Sequence, residues 1–192
     1  MIAIDRPPVG KLTESGLWSA VNGFDLYVDR LFEPLRGRSS VDGTAKVVTR
    51  LGDHGWIWTA IAVWRCRRSG PARRRAVRSL GLAGVSSTLV NAGSKQLVDR
   101  QRPDASGLGI SPSGVAVRAP TTSSFPSGHT LAAFCSATAL SRPDDRTGNA
   151  LLYSTACLIG LSRIHLRAHH ASDVAGGMVI GTALGLLVRR IR

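Results

Sequence analysis

His169 is followed four residues later by Asp173, and of all the pairings in the chain this is the one best suited to covalent chemistry. If the stretch is helical, the two side chains share a face one turn apart. A carboxylate on one imidazole nitrogen fixes the tautomer and leaves the other nitrogen as a nucleophile. The neighbouring histidines act as internal controls. His165 has His169 at the same spacing and His170 has Val174, so neither gains an acid from it. Just upstream, Ser162 and Arg163 add a hydroxyl and a guanidinium. In isolation, the plain alternative is a surface His–Asp pair at a helix start.

Two more clusters supply what a phosphoryl group would need. Pro126-Ser127-Gly128-His129 opens an apolar run, with proline read as lying in the first helical turn, where its missing N–H costs nothing. The N–H groups of Ser127, Gly128 and His129 would then point outward, backed by the positive end of the helix dipole, as an anion cradle. His129 beside them could give or take a proton. The other cluster is Lys95 with Arg102-Pro103, two cations about two turns of chain apart. Asp99 offers Lys95 a simple salt-bridge partner in a structural reading. Together the clusters hold three cations (Lys95, Arg102, Arg163), an amide cradle and two histidines with distinct jobs. Phosphoryl transfer is catalysed largely by positioning and charge stabilisation, so this set suits a phosphatase that uses no metal or other cofactor. A zinc site from His129, His165, His169 and His170 is the metal alternative, and arginines crowding the same place would repel that cation.

These clusters must be positioned by apolar elements. Five segments could cross a bilayer: Val47–Trp64, interrupted by Arg50, Asp53 and His54; Val77–Val98; Ser127–Ala139; Gly148–Ser162; and Val174–Val188. Their uncharged cores are mostly shorter than the roughly 18–20 residues of a clean span, and the mean hydropathy is only +0.05. Charge placement favours the membrane. The net charge of +13 is carried mostly by arginine. Arg65, Arg67, Arg68, Arg73, Arg74, Arg75 and Arg78 fall between two apolar stretches, and Arg189, Arg190 and Arg192 close the last one, as cytoplasmic ends do. Nucleic acid, the first partner such a charge suggests, fits this placement poorly. With the Arg65–Arg78 loop cytoplasmic, alternation puts Arg102 and Arg163 outside, against the usual bias, which points to a site on the extracytoplasmic face. Asp53 and His54 read equally as a cavity lining or as an interhelical polar pair.

The last segment carries Gly177, Gly181 and Gly185 at four-residue spacing, a face that lets a neighbouring helix approach closely. Between Gly16 and Leu35, Leu17, Val21, Phe24, Val28 and Leu31 recur at helical spacing, with Asp25, Asp29 and Arg30 between them. This reads as an amphipathic interfacial helix or a poor sixth span. Cys66, Cys135 and Cys157 imply no disulfide framework, and Met1–Lys11 has no apolar core of a signal peptide. Asp99–Phe125 is a polar loop whose length suggests function.

The three clusters resemble the signature of the type 2 phosphatidic acid phosphatase superfamily: K-x6-RP at Lys95–Pro103, PSGH at Pro126–His129 and SR-x5-H-x3-D at Ser162–Asp173. The resemblance covers Asn91 to Gly185, within a single domain of 192 residues whose first 40 form the N-terminal segment. It implies an all-α, integral-membrane bundle of about five to six transmembrane helices with a haloperoxidase-like core, multi-pass in the cell membrane. It further implies that His169 attacks phosphorus to form a phosphohistidine, with Asp173 orienting it. His129 protonates the leaving oxygen, and Lys95, Arg102, Ser127, Gly128 and Arg163 hold the phosphate, without a metal. The implied substrate is a phosphorylated membrane lipid: a polyprenyl phosphate or diphosphate, phosphatidic acid or phosphatidylglycerol phosphate. The alternative is an inactive lipid-phosphate-binding membrane protein, for which the paired His169 and Asp173 would have no use. Vanadium haloperoxidases share the anion site but are typically larger and soluble. The chain departs from the pattern at His165 and His170, where aromatic residues are frequent, and at Ala171, where proline is frequent, which bears on how lipid near the site is gripped.

Overall fold

The computed structural model describes residues 16–65, 70–103 and 122–191, apart from the side chains of Leu17, His54, Trp64, Arg65, Pro71 and Ala72. Cys66, Arg67, Arg68, Arg192, Met1–Lys11 and the centre of the loop after Pro103 lie outside the described residues. Among the described residues, seven α-helices follow in order: α1 Gly16–Phe32, α2 Ser39–Gly52, α3 Trp56–Arg65, α4 Gly70–Leu97, α5 Gly128–Leu140, α6 Arg146–His165 and α7 Ala171–Ile191. Short 3₁₀ turns at Glu33–Leu35 and Asp53–Gly55 join α1 to α2 and α2 to α3. No strand occurs among the described residues.

Helix α5 is the axis of the bundle. Thr130, Leu131 and every residue from Ala133 to Leu140 are buried, because α4, α6 and α7 all pack against it. The closest of these contacts is with α7, and the three glycines make it possible. A Cβ on Gly177 would lie 2.7 Å from the Ser127 carbonyl oxygen, and one on Gly185 would lie 2.6 Å from Cβ of Thr138. One on Gly181 would run into the Leu131 carbonyl. The small-residue face read from the sequence therefore packs backbone to backbone, as such faces do.

The outer helices turn large apolar side chains outward, among them Trp56, Val85, Leu89, Leu158, Val179 and Leu187. Judged by length and composition, one helix among the described residues, Ala171–Ile191, is long and apolar enough to cross a membrane. Helix α1 is amphipathic as expected, but inside out for a water-facing helix. Trp18, Phe24 and Leu31 are exposed, while Asp25 is buried against α7. An apolar stripe turned away from the protein suits a lipid-facing surface.

The first expected span, Val47–Trp64, is not one helix. It breaks at Asp53, whose backbone is extended, and the chain turns through Gly55 at φ +72 before α3 begins. Only glycine adopts that conformation without strain. Gly52 lets the end of α2 approach α6, since a Cβ there would meet Ile159 at 3.3 Å. The other four segments correspond to α4, α5, α6 and α7, each within a few residues of its expected ends apart from the longer α4 N-terminus.

Antiparallel alternation of α4, α5, α6 and α7 collects Lys95, Gly128, Arg163 and Asp173 at one end of the bundle. The other end holds Arg73, Arg74, Arg75, Arg142, Arg146 and Arg189, and there Arg189 donates to Ser141 at 3.2 Å. Gly181→Val should push α7 off α5 and lower the thermal unfolding midpoint in detergent, at a cost of about 1–3 kcal/mol or more. Gly93→Ala in α4, where an added Cβ meets nothing within 4 Å, should leave the midpoint unchanged or raise it.

Candidate active site

Lys95, Arg102, Gly128, His129, Arg163 and His169 all line one open cavity of about 560 Å³. They come from five places in the chain: the end of α4, the loop after it, the start of α5 (Gly128 and His129), the end of α6 and the α6–α7 turn. The two other expected residues, Ser127 and Asp173, lie just behind it and are fully buried. The three sequence clusters thus form one site.

His169 does not sit on a helix with Asp173. It occupies the turn before α7, which begins at Ala171, and is 3% exposed. Its Nδ1 lies 2.8 Å from the Ser124 carbonyl oxygen and 3.7 Å from Oδ2 of Asp173. The nearest acceptor to the ring is therefore a backbone carbonyl, with the Asp173 carboxylate behind it at ion-pair range. On the other side, a terminal nitrogen of Arg102 approaches Nε2 at 3.2 Å. A guanidinium only donates, so Nε2 must present its lone pair, and Nδ1 must carry the proton given to Ser124. That tautomer leaves the cavity-facing nitrogen able to attack. Burial holds the His169 imidazole well below its usual value, at about 4. The Asp173 charge pulls it upward, while Arg102 and Arg163 press it further down.

Asp173 is saturated by other donors. Oδ1 accepts from Arg100 at 2.6 Å, and Oδ2 accepts from the Ser124 hydroxyl and from the His170 N–H at 2.9 Å. One carboxylate thus grips both the residue whose carbonyl steers His169 and the turn that carries His169. Arg100 also donates to Ser172 and pairs with Asp25 of α1, both at 2.6 Å. Asp25 in turn accepts the Ser172 N–H and hydroxyl, each at 2.8 Å. Sequence reasoning missed Arg100, Ser124 and Asp25. Arg100 lies inside the K-x6-RP stretch, and Asp25 is buried on the α1 face it shares with the half-buried Val21 and Val28, an expensive place for an unpaired carboxylate. Ser124 carried no signal.

The amide cradle differs in detail from the expectation. Ser127 is the N-cap of α5, so Pro126 precedes the cap instead of opening the helix. The Ser127 N–H is already bonded to the Asp173 carbonyl at 3.0 Å. The Ser127 side chain makes no cap to the following turn. The N–H groups of Gly128 and His129 remain for an anion at the positive end of α5. Nε of Arg102 and of Arg163 are buried without a hydrogen-bond partner among the described residues, and Asn91 Oδ1 is likewise unpaired beside Gly128. Lys95 donates to Thr122 at 3.3 Å, and Asp99, its partner in the alternative structural reading, does not pair with it. Donors left open around a cavity, with no acidic side chain in its lining among the described residues, suit an anion.

The other histidines each have a partner of their own. His129 Nε2 lies 2.6 Å from Asp53, an interhelical polar pair of the kind considered for the first span. His165 Nε2 lies 2.8 Å from Asp42 of α2, a buried pair that local spacing could not reveal. His170 Nε2 lies 3.2 Å from the Gln101 carbonyl. The four histidines weighed as a zinc set are thus held by four separate partners, and no three His, Cys, Asp or Glu side chains converge among the described residues.

Comparison with known proteins identifies the family. The family model described as PAP2 superfamily matches residues 76–192. Decaprenylphosphoryl-5-phosphoribose phosphatase of Mycobacterium tuberculosis is 30% identical over 151 residues, covering 79% of this chain and 80% of that protein. The Mycolicibacterium smegmatis protein of the same name is 28% identical over 158 residues, covering 82% and 83%. Among solved structures, LpxE of Aquifex aeolicus superposes with a TM-score of 0.69 at 27% identity, covering 86% of this chain and 94% of that one. The Bacillus subtilis transmembrane PAP2-type phosphatidylglycerolphosphate phosphatase shares the fold, with a TM-score of 0.65 at 24% identity over 90% and 86%. With the family signature gathered around one anion cavity, the chain belongs to the PAP2 superfamily and is a lipid phosphatase of that family, a phosphoric-ester hydrolase.

Proposed function

We propose that the chain removes phosphate from a phosphorylated polyprenyl lipid through a phosphohistidine on His169, with His129 as proton donor and no metal ion. The observation that carries this reading is the placement of His169: Nδ1 lies against the Ser124 carbonyl and Nε2 faces the cavity beside Arg102, which together imply the Nδ1–H tautomer. Phosphate oxygens entering the cavity would take the donors of Lys95, Arg102, Arg163 and the Gly128 and His129 amides, freeing Nε2 to attack phosphorus. Transition-state charge then builds on oxygens already surrounded by fixed donors. Ser127 and Asp173 act from behind, one as the cap of α5 and the other by holding Ser124 and the His170 amide. The names of the mycobacterial relatives favour a polyprenyl-linked sugar phosphate over phosphatidic acid or phosphatidylglycerol phosphate.

A second cavity of about 700 Å³ between α3 and α4, lined by Ala62, Val63, Val77, Leu80 and Gly81 among others, shares Thr59 and Leu80 with the first. It offers the lipid chain a largely apolar path along α3 and α4 from the phosphate toward Arg73. The arginine-bearing end of the bundle suits the cytoplasmic side, which supports a site on the extracytoplasmic face of a multi-pass bundle.

Purified protein in detergent with EDTA should release inorganic phosphate from a polyprenyl phosphate or its sugar-phosphate derivative; loss of activity on chelation would contradict the metal-free scheme. His169→Ala should lower turnover by at least about 10³-fold and leave no acid-labile phosphoenzyme. His129→Ala should slow phosphoenzyme formation by about 10²–10⁴-fold. The pH profile follows from the depressed imidazole. Protonation removes the Nε2 lone pair, so kcat/KM should fall as pH drops through about 4, after allowance for ionisation of the substrate. An enzyme-derived acid limb near the ordinary histidine value would contradict a buried neutral nucleophile.

A further inference from the structure

Asp53 stands where the expected first span breaks, and the break brings its carboxylate to His129. Oδ1 lies 2.6 Å from Nε2 across the α2–α5 junction. Helix α2, which delivers it, is fixed to α6 along its length. Thr49 and Ser162 share a hydrogen bond of 2.7 Å, Asp42 pairs with His165 at 2.8 Å, and Gly52 sits against Ile159. The extended Asp53 and the left-handed Gly55 then end the helix at the cavity wall, which Gly52 and Gly55 both line. A continuous helix would carry Asp53 past this point.

We propose that Asp53 is a positioning residue for protonation of the leaving group, an inference that rests on the mechanism proposed above. A carboxylate only accepts, so Nε2 of His129 carries its proton toward Asp53, and Nδ1 is the nitrogen that serves the substrate. In the first half-reaction the Nε2 lone pair of His169 bonds to phosphorus and the phosphorus–oxygen bond to the lipid breaks. The departing oxygen keeps that electron pair and takes the proton from Nδ1 of the His129 imidazolium. In the second, water gives a proton to the same Nδ1, its oxygen bonds to phosphorus, and the phosphorus–nitrogen bond breaks back to His169. Through both steps Asp53 remains ionised on Nε2. Its charge matters because an imidazolium at this point faces Lys95, Arg102 and Arg163, cations lining the same cavity. Asp53 is the acidic side chain within hydrogen-bond reach of the ring among the described residues.

Leaving-group dependence tests this. An alkyl oxygen needs a proton to depart, whereas a nitrophenolate leaves without one. Using kcat/KM, which reports steps through phosphoenzyme formation, Asp53→Asn should lower the value for decyl phosphate by about 10- to 100-fold, mostly through kcat. The value for 4-nitrophenyl phosphate should stay within about twofold, and Asp53→Glu should recover much of the decyl phosphate loss. In a His129→Asn background, Asp53→Asn should add nothing further. Asp53→Ser should repeat the pattern if the asparagine variant fails to fold. Equal losses on both probes, or an undiminished loss in the His129→Asn background, would overturn the proposal while leaving the nucleophile assignment intact. If His169→Ala retained turnover, the underlying mechanism itself would fail.

Discussion

The hydrogen bond from Nδ1 of His169 to the Ser124 carbonyl is the contact on which the site depends. It decides which nitrogen carries the proton, and therefore which one faces the cations. A backbone carbonyl steers by position alone, so the chain has to hold Ser124 still. Asp173 does so through the Ser124 hydroxyl while also binding the amide of His170, the next residue after His169. The acid of the family signature is thus a clamp between two loops, and its effect on the imidazole is transmitted by geometry and charge without a direct hydrogen bond.

That clamp is anchored in turn. Arg100 joins Asp173 to Asp25, and Asp25 binds the first turn of α7, so a buried set of charges ties α1 to the turn that carries His169. Burying charges is costly unless each is matched, and here Arg100 serves Asp25, Ser172 and Asp173 while both carboxylates accept from other donors as well. Below this layer, the glycine face of α7 lets its backbone approach α5 closely enough for the Ser127 amide to reach the Asp173 carbonyl. The cradle and the clamp are consequently parts of one joint between two helix N-termini. Small residues in the helix interface and ionised groups above it share the task of fixing one imidazole.

Much of this was legible in the sequence because it is local. Apolar runs marked α4 to α7, glycine spacing marked the α5–α7 contact, and three short motifs named every residue expected in the cavity. What escaped was long-range or depended on backbone. Asp42 meets His165 across 123 residues and Asp25 meets Ser172 across 147, distances over which residue spacing carries no information. Helical phase suggested that Asp173 would touch His169, but the helix starts two residues after the histidine, and the carbonyl of Ser124 fills the place instead. The break at Asp53 had a signal in the glycines on either side of Asp53 and His54, but hydropathy averaged over it and read one span.

The most direct test of the account is the position of the phosphoryl group on the trapped intermediate. With Nδ1 committed to Ser124, rapid quenching of the enzyme with a phosphorylated lipid under alkaline conditions, followed by peptide mass spectrometry and phosphorus NMR, should find phosphate on Nε2 of His169. Phosphate on Nδ1 of that ring, or on a different residue, would contradict it.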